Sequence, residues 1–250
     1  AVNAYQPDIL INAAAYTAVD KAEEETAEAL RINADGPRYL AEACSKHDIP
    51  LIHVSTDYVF DGQASRPYIE TDPTHPLGAY GESKLAGERH VVASCAKHVI
   101  VRTAWVFSEY GNNFMKTMLR LAGERDELGI VADQQGAPTY AGDLAAALIA
   151  IALQLDKTPA WGLYHYCGGE VVSWYDFAMS IFEKFQGGGK QQKLPRVNAI
   201  TSDQFPTPAK RPAYSGLSGH KLASVYGIDS GNWQTGIDRV LDAPDAKSSS

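Results

Sequence analysis

Long apolar runs are missing from this 250-residue chain: none approaches the ~18–20 residues that a membrane-spanning helix needs. No basic-then-apolar leader opens it. Positive charge is also short. Lys and Arg number 22 against 30 Asp and Glu, a formal net charge of −8 with a pI near 5.3, which excludes the broad basic face of a nucleic-acid binder. An anionic small ligand stays compatible, because a helix N-terminus or a few local cations suffice to meet it. Cysteine is scarce: Cys44, Cys95 and Cys167 are odd in number, widely spaced and in no CxxC pair. Neither a disulfide framework nor a zinc site is expected, and a reducing compartment, the cytoplasm, fits.

What is present reads as a soluble globular α/β protein, 45% hydrophobic and 21% charged, long enough for one large domain or two lobes. Residues 8–15, a continuous apolar run after Pro7, predict a buried parallel strand. Helical spacing covers residues 20–46, with an acidic first turn at Glu23, Glu24 and Glu25 read as a solvated helix start and a kink or two abutting helices expected at Pro37. Strands follow at residues 50–56 and 98–107, with a helix over 78–95 between them. Strands alternating with helices of this length imply β-α-β units and a doubly wound parallel sheet. Beyond Gly111 come a helix from Asn113 to Glu124, a polar loop at 133–139 and a helix from Asp143 to Leu155. A strand near 162–168 is expected to rejoin the sheet, and a helix from Trp174 to Phe185 is capped by Ser173. Gly187–Gly189 reads as a flexible break and residues 243–250 as a disordered tail. Residues 1–110 are thus assigned to one domain and 111–242 mainly to a second lobe.

Of the thirteen tyrosines, only Tyr80 is followed by a lysine four residues later, Lys84. Positions four apart on a helix share a face, so phenol and ammonium point at one volume. A nearby ammonium favours the phenolate and is expected to lower its pKa from ~10 toward a useful range. In doubly wound sheets ligands bind beyond the carboxyl ends of the strands. Three such ends carry polar groups here: Asn12/Tyr16/Thr17, Ser55/Thr56/Asp57 and Thr103/Trp105. Their convergence on Tyr80 and Lys84 points to catalysis rather than to a surface pair. His53 is expected to pack in its strand rather than to form a nucleophilic arrangement with Ser55 and Asp57.

The ordered motifs Asn12–Lys21, Ser55–Phe60, Tyr80–Glu88, Arg102–Phe107, Gly111–Phe114, Asp133–Thr139 and Pro206–Pro212 together resemble the extended short-chain dehydrogenase/reductase superfamily. Within it, the match is to the dTDP-4-dehydrorhamnose reductase family. The resemblance implies a Rossmann-like sheet with a smaller substrate-binding lobe. The implied activity is reduction by NADPH or NADH of the 4-keto group of dTDP-4-dehydro-6-deoxy-L-mannose to dTDP-L-rhamnose. Tyr80 would donate the proton, Lys84 would lower its pKa and hold the nicotinamide ribose, and Thr56 would hydrogen-bond the substrate oxygen. Asp57 and Trp105 match positions that contact the sugar nucleotide, and Arg211, beside Lys210, is expected to meet its diphosphate. Ala15, Tyr16 and Thr17 match the segment lying along the cofactor, with Asn33 the buried polar residue of the next helix.

Departures from the family pattern matter as much. Its glycine-rich phosphate-binding turn is not in this sequence, so the chain is expected to be a fragment lacking two or three leading strands. Cofactor preference would be set in that part. Bridging magnesium, used by some members, falls at Gly142 and Ala243, which cannot ligate it; Asp143 and Asp242 are the adjacent carboxylates. No metal is therefore expected, and a monomer or weak homodimer follows. Two rival readings are a sugar-nucleotide dehydratase or epimerase and a non-catalytic subunit resembling the regulatory subunit of methionine adenosyltransferase. Tyr58, standing where dehydratases carry a second carboxylate, speaks against elimination.

Overall fold

The computed structural model describes residues 5–155, 157, 159–187 and 194–243. In chain order its elements are β1 (Leu10–Asn12), α1 (Thr26–Leu30), a π-helical turn (Arg31–Asp35), α2 (Gly36–Lys46), β2 (Leu51–Thr56), α3 (Ala79–Ser94), β3 (His98–Thr103) and β4 (Val106–Phe107). There follow α4 (Phe114–Glu124), β5 (Glu127–Val131), β6 (Gln135–Gly136), β7 (Thr139–Tyr140), α5 (Ala141–Gln154) and β8 (Gly162–His165). The last are β9 (Val172–Ser173), α6 (Trp174–Gly187), β10 (Arg196–Ile200), α7 (His220–Tyr226) and α8 (Trp233–Asp242).

Four strands form a parallel sheet in the order β1-β2-β3-β8, and the strand expected near 162–168 does rejoin it. Alternating residues send their side chains to opposite faces. Leu51 and Ile100 pack with Ala41, Cys44 and Val91 of α2 and α3. Ile52, Val99 and Val101 meet Leu144, Leu148 and Ile151 of α5 and Leu222 of α7. Thus α5, β8 and α7, all within 111–242, pack with the first sheet. A separate core joins α4, α6 and α8 to β5 through Met115, Met118, Phe177, Phe182, Trp233 and Ile237, and β5 pairs in parallel with β10.

Two sequence expectations are corrected. The strand over 8–15 shrinks to Leu10–Asn12, and Ile11 is exposed because β1 pairs only with β2 among the described residues. At Pro37 the second of the two expected outcomes holds: the π-helical turn abuts α2, and Pro37 sits in the first turn of α2, where its missing N–H is not needed. The strand over 98–107 is broken at Trp105, whose φ of 47° is rare for a residue with a side chain. Beyond that bend Val106 and Phe107 leave the sheet to pair with Thr139 and Tyr140. Ser173 caps α6 as expected, its hydroxyl accepting from the Asp176 amide at 3.0 Å. Gly187 closes that helix; Gly188, Gly189 and residues 244–250 lie outside the described residues.

One buried ion pair ties α3 to the sheet. The Arg102 guanidinium makes a bidentate contact to Glu88, Nε–Oε1 2.8 Å and Nη2–Oε2 2.7 Å, with side chains only 3% and 6% exposed. No helix among the described residues is long and apolar enough to cross a membrane.

Candidate active site

Helix α3, which carries Tyr80 and Lys84, begins at Ala79 after Gly78, which has no side chain to cap it. The cap comes from elsewhere: Glu23 Oε1 accepts the Ala79 amide at 2.9 Å, placing a carboxylate where the helix dipole favours one. Its neighbour Glu25 accepts the Tyr16 hydroxyl at 2.8 Å. The acidic run is therefore more than a solvated face. One turn into the helix, Gly81 presses against the Tyr58 carbonyl, and a Cβ there would sit 2.2 Å from that oxygen. This close approach brings the α3 N-terminus onto the end of β2, and the Tyr58 and Tyr80 rings meet edge to face at 5.4 Å.

Tyr80 and Lys84 do share a face, but their electrostatics differ from the sequence expectation. The Tyr80 phenol is pushed up to about 12 by burial, with the Thr56 hydroxyl pulling it down and the Asp57 charge pushing it up. Lys84 is not among the groups that shift it. The Lys84 ammonium, 2% exposed, donates to the Val54 carbonyl at 2.7 Å, and burial brings it down to about 8 against the pull of Glu88. Desolvation is the largest cause of both shifts, and it favours the neutral form of each group. The consequence is a tyrosine that holds its proton at neutral pH.

Thr56 joins Tyr80 to a buried carboxyl. Its hydroxyl donates to Asp57 Oδ1 at 3.0 Å and accepts from the Tyr58 amide at 3.2 Å. Asp57 is 2% exposed and its Oδ2 has no hydrogen-bond partner. Burial raises its carboxyl to about 6, opposed by the hydroxyls of Ser215 and Thr56 and by backbone amides. Ser55 Oγ and Thr103 Oγ1, on neighbouring strand ends, are likewise buried without partners. These groups gather around the carboxyl ends of β2 and β3. His53, fully buried, contacts Asn12 Nδ2 at 3.0 Å and burial lowers it to about 3, which suits the packing role read for it.

A stability prediction arises here. Asp57 titrates near 6 when folded and near ~3.9 when unfolded. The folded state therefore keeps the proton longer, and stability falls as pH rises through that window, by about 3 kcal/mol in all. In Asp57→Asn that fall should disappear. Denaturant titrations of both proteins between pH 4 and 7 are expected to diverge by this amount; parallel profiles would contradict the raised carboxyl.

The cofactor-side residues are organised by Asn33, which is fully buried on the π-helical turn. Its Oδ1 accepts the Tyr16 amide at 2.8 Å, while Nδ2 donates to the Tyr16 carbonyl at 3.0 Å and Ser83 Oγ at 3.0 Å. Asn33 thereby locks the Ala15–Thr17 backbone against α3, one residue from Lys84. Ala15 and Tyr16 stay half-buried and Thr17 exposed, leaving this segment open to a ligand. Lys84 has three donors and gives one to Val54. The remaining donors, beside an open backbone segment, fit the vicinal hydroxyls of a nicotinamide ribose.

The substrate-side residues are only partly brought to Tyr80. Trp105 is turned by its left-handed backbone onto Trp174, the two indoles stacked at 3.4 Å and 6°. Trp174 and Arg211 line a cavity of ≈ 610 Å³ with Phe114, Met118, Gln134 and Thr207. Tyr80, Thr56 and Asp57 do not line it. Arg211 is not free to meet a diphosphate: its guanidinium is paired with Asp20, Nη2–Oδ2 2.7 Å and Nη1–Oδ1 3.1 Å. Burial works most strongly against the Arg211 charge, and Asp20 and Tyr58 together outweigh it. Sequence reasoning missed Asp20, Ser215 and Trp174, whose partners lie 40 or more residues away. Tyr58 was noted only for what it replaces.

Magnesium does not fit. Gly142 and Ala243 offer no side-chain donor, and Asp143 is paired with Arg239 at 2.6 Å. No group of three or more metal-ligating side chains occurs among the described residues.

Comparison with known proteins adds an independent line. The family model described as the RmlD substrate binding domain matches residues 1–245. A dTDP-4-dehydrorhamnose reductase of Aggregatibacter actinomycetemcomitans is 49% identical over 241 residues, covering 96% of this chain and 82% of the relative. The Escherichia coli K12 protein of the same name is 46% identical, with coverages of 96% and 81%. Among solved structures, the dTDP-4-dehydrorhamnose reductase of Bacillus anthracis in complex with NADP superposes with a TM-score of 0.87 at 38% identity, covering 96% of this chain and 82% of that one.

Proposed function

The chain belongs to the RmlD substrate-binding family of dTDP-4-dehydrorhamnose reductases, and we propose that its reaction, NAD(P)H-dependent reduction of the 4-keto group of dTDP-4-dehydro-6-deoxy-L-mannose to dTDP-L-rhamnose, runs through Tyr80. The observation that carries this reading is the convergence of Tyr80, Thr56 and Asp57 at the end of β2 with Lys84 beneath them. When bound, the reduced nicotinamide supplies the hydride that C4 receives.

The protein's own work is to bind, orient and deliver a proton. Tyr80 holds its proton at neutral pH because burial favours the neutral phenol, and an alkoxide developing at C4 is basic enough to take it. Lys84 and the Ala15–Thr17 backbone, held by Asn33, secure the nicotinamide ribose. Thr56 orients the phenol, and its hydroxyl turns toward the substrate oxygen as that charge grows. Asp57, buried beside Thr56 at the end of β2, takes a sugar hydroxyl on its carboxyl. Trp105 and the cavity beside Trp174 receive the sugar nucleotide, so that residues around the first sheet serve the cofactor and most of 111–242 the substrate. Elimination chemistry is disfavoured, since Tyr58 offers only a phenol that burial raises still further. The chain is read as a monomer or weak homodimer.

The test is oxidation of NADPH or NADH by the full-length protein in the presence of dTDP-4-dehydro-L-rhamnose, followed spectrophotometrically. Stoichiometric formation of dTDP-L-rhamnose is expected. Absence of turnover, together with tight binding to a partner enzyme, would overturn the reductase reading in favour of a regulatory subunit.

A further inference from the structure

Asp20 joins two segments that are distant in sequence and functionally distinct. Its Oδ1 accepts the Ala209 amide at 3.2 Å and Arg211 Nη1 at 3.1 Å, and its Oδ2 accepts Arg211 Nη2 at 2.7 Å. All three donors come from the stretch Thr207–Pro212, which is stiffened by Pro208 and Pro212. That stretch is self-braced, with Arg211 Nη1 also donating to the Ala209 carbonyl at 3.3 Å and Thr207 Oγ1 to the same carbonyl at 2.9 Å. It is also part of the cavity wall, through Thr207 and Arg211.

Asp20, for its part, sits three residues after Thr17 and opens the short helical turn that carries Glu23. That turn holds the start of α3 through Glu23 and the Ala79 amide, and Glu25 just beyond it holds the Tyr16 hydroxyl. The carboxylate therefore stands at the junction of the cofactor-side segment, the catalytic helix and the cavity edge. Its partly shielded position, with side-chain exposures of 41% for Asp20 and 22% for Arg211, and its bidentate geometry place it above an ordinary surface pair. The Arg211 bond holds the Asp20 carboxyl below the usual carboxylate range, so it stays charged throughout the working pH range.

We propose that Asp20 is a positioning residue: through Arg211 and the Ala209 amide it latches the Thr207–Pro212 edge of the sugar-nucleotide cavity to the cofactor-side segment, coupling the two binding events. Resting on the reductase reading for the identity of both ligands, the latch assigns Arg211 an indirect role. The guanidinium sets the cavity edge and flanks Tyr58, whose ring rests against Tyr80, rather than ligating the diphosphate. A cofactor that bears on the segment after β1 is thus felt at the cavity edge through Asp20. By reciprocity the nucleotide tightens the cofactor by the same factor.

The experiment is a binding cycle on the full-length protein, with dTDP as a non-reacting probe titrated with and without saturating NADP. In the wild type, NADP is expected to tighten dTDP about 5- to 50-fold. Asp20→Asn should remove most of that enhancement while changing dTDP affinity without NADP far less, and Asp20→Glu should restore part of it. Arg211→Lys should behave like Asp20→Asn, and the double variant should be no worse than either alone. If Arg211 instead ligates the diphosphate, Arg211→Lys will weaken dTDP equally with and without NADP while Asp20→Asn leaves the enhancement intact; that result overturns the latch. Failure of the wild type to bind dTDP would count against the reductase reading alone. The latch is then read by amide exchange at the non-proline residues of 207–212, expected to accelerate in Asp20→Asn. Unchanged exchange would overturn it.

Discussion

Tyr80→Phe is expected to fold like the parent and to lose about 10²- to 10⁴-fold in kcat, the usual worth of a positioned proton donor. The ring is retained, so its edge-to-face contact with Tyr58 at 5.4 Å survives, and only the hydroxyl that meets Thr56 is removed. Because dTDP and NADP contact much more than this hydroxyl, their dissociation constants should move little. The pH dependence gives a sharper test. With the free phenol near 12, Tyr80 keeps its proton through the neutral and mildly alkaline range. Lys84, brought down to about 8 by burial, loses its charge first, since an amine whose pKa is lowered is charged only below the lowered value. The alkaline fall in kcat/KM should therefore begin near pH 8 and belong to Lys84. Lys84→Arg, charged at every accessible pH, is expected to push that fall upward whatever its rate. An alkaline limb unchanged by Lys84→Arg would mean that another group controls it.

The largest stability effect is expected from Glu88→Gln. Arg102 and Glu88 are 3% and 6% exposed, and Arg102 Nη1 is already without a partner. Removing the carboxylate leaves a buried guanidinium uncompensated, a loss of about 3–5 kcal/mol. For a chain of this length, that is a fall in Tm on the order of 10 °C. The pair itself need not be stabilising relative to an apolar core. Replacing both residues together, Arg102→Met with Glu88→Leu, should recover most of the loss. The exposed pair Arg120–Glu124, 59% and 50% exposed, makes a useful contrast, as Glu124→Gln should leave thermal melting unchanged. Calorimetric or denaturant unfolding of the three variants separates these outcomes, and equal melting of Glu88→Gln and the parent would show that the buried charge finds another partner.

What could be read from the sequence was mostly local. The Tyr80–Lys84 spacing is a property of one helix turn, and the strand–helix alternation gave the parallel sheet because each unit announces itself within about 30 residues. Non-local facts stayed hidden. Residues 102–107 have continuous strand character, so nothing nearby signals the bend at Trp105; the bend follows from an indole stacked on Trp174 and pressed against Gly136. Glu23 looks like surface charge until the fold brings the Ala79 amide to it across 56 positions. Arg211 reads as a free cation for the same reason, its Asp20 partner being 191 positions away. The pKa expectation for Tyr80 failed differently. Proximity of an ammonium was legible, but the degree of desolvation, which decides the sign, depends on the finished packing.

The stacked indoles of Trp105 and Trp174 have one more consequence. Two parallel chromophores 3.4 Å apart share their electronic excitation, so together they absorb and emit as a coupled unit rather than as separate tryptophans. One indole rides on the bend after β3 and the other on the first residue of α6, so the coupling reports their separation directly. The molecule thus carries an intrinsic optical reporter of the contact between that bend and α6, readable by near-ultraviolet circular dichroism without any added label.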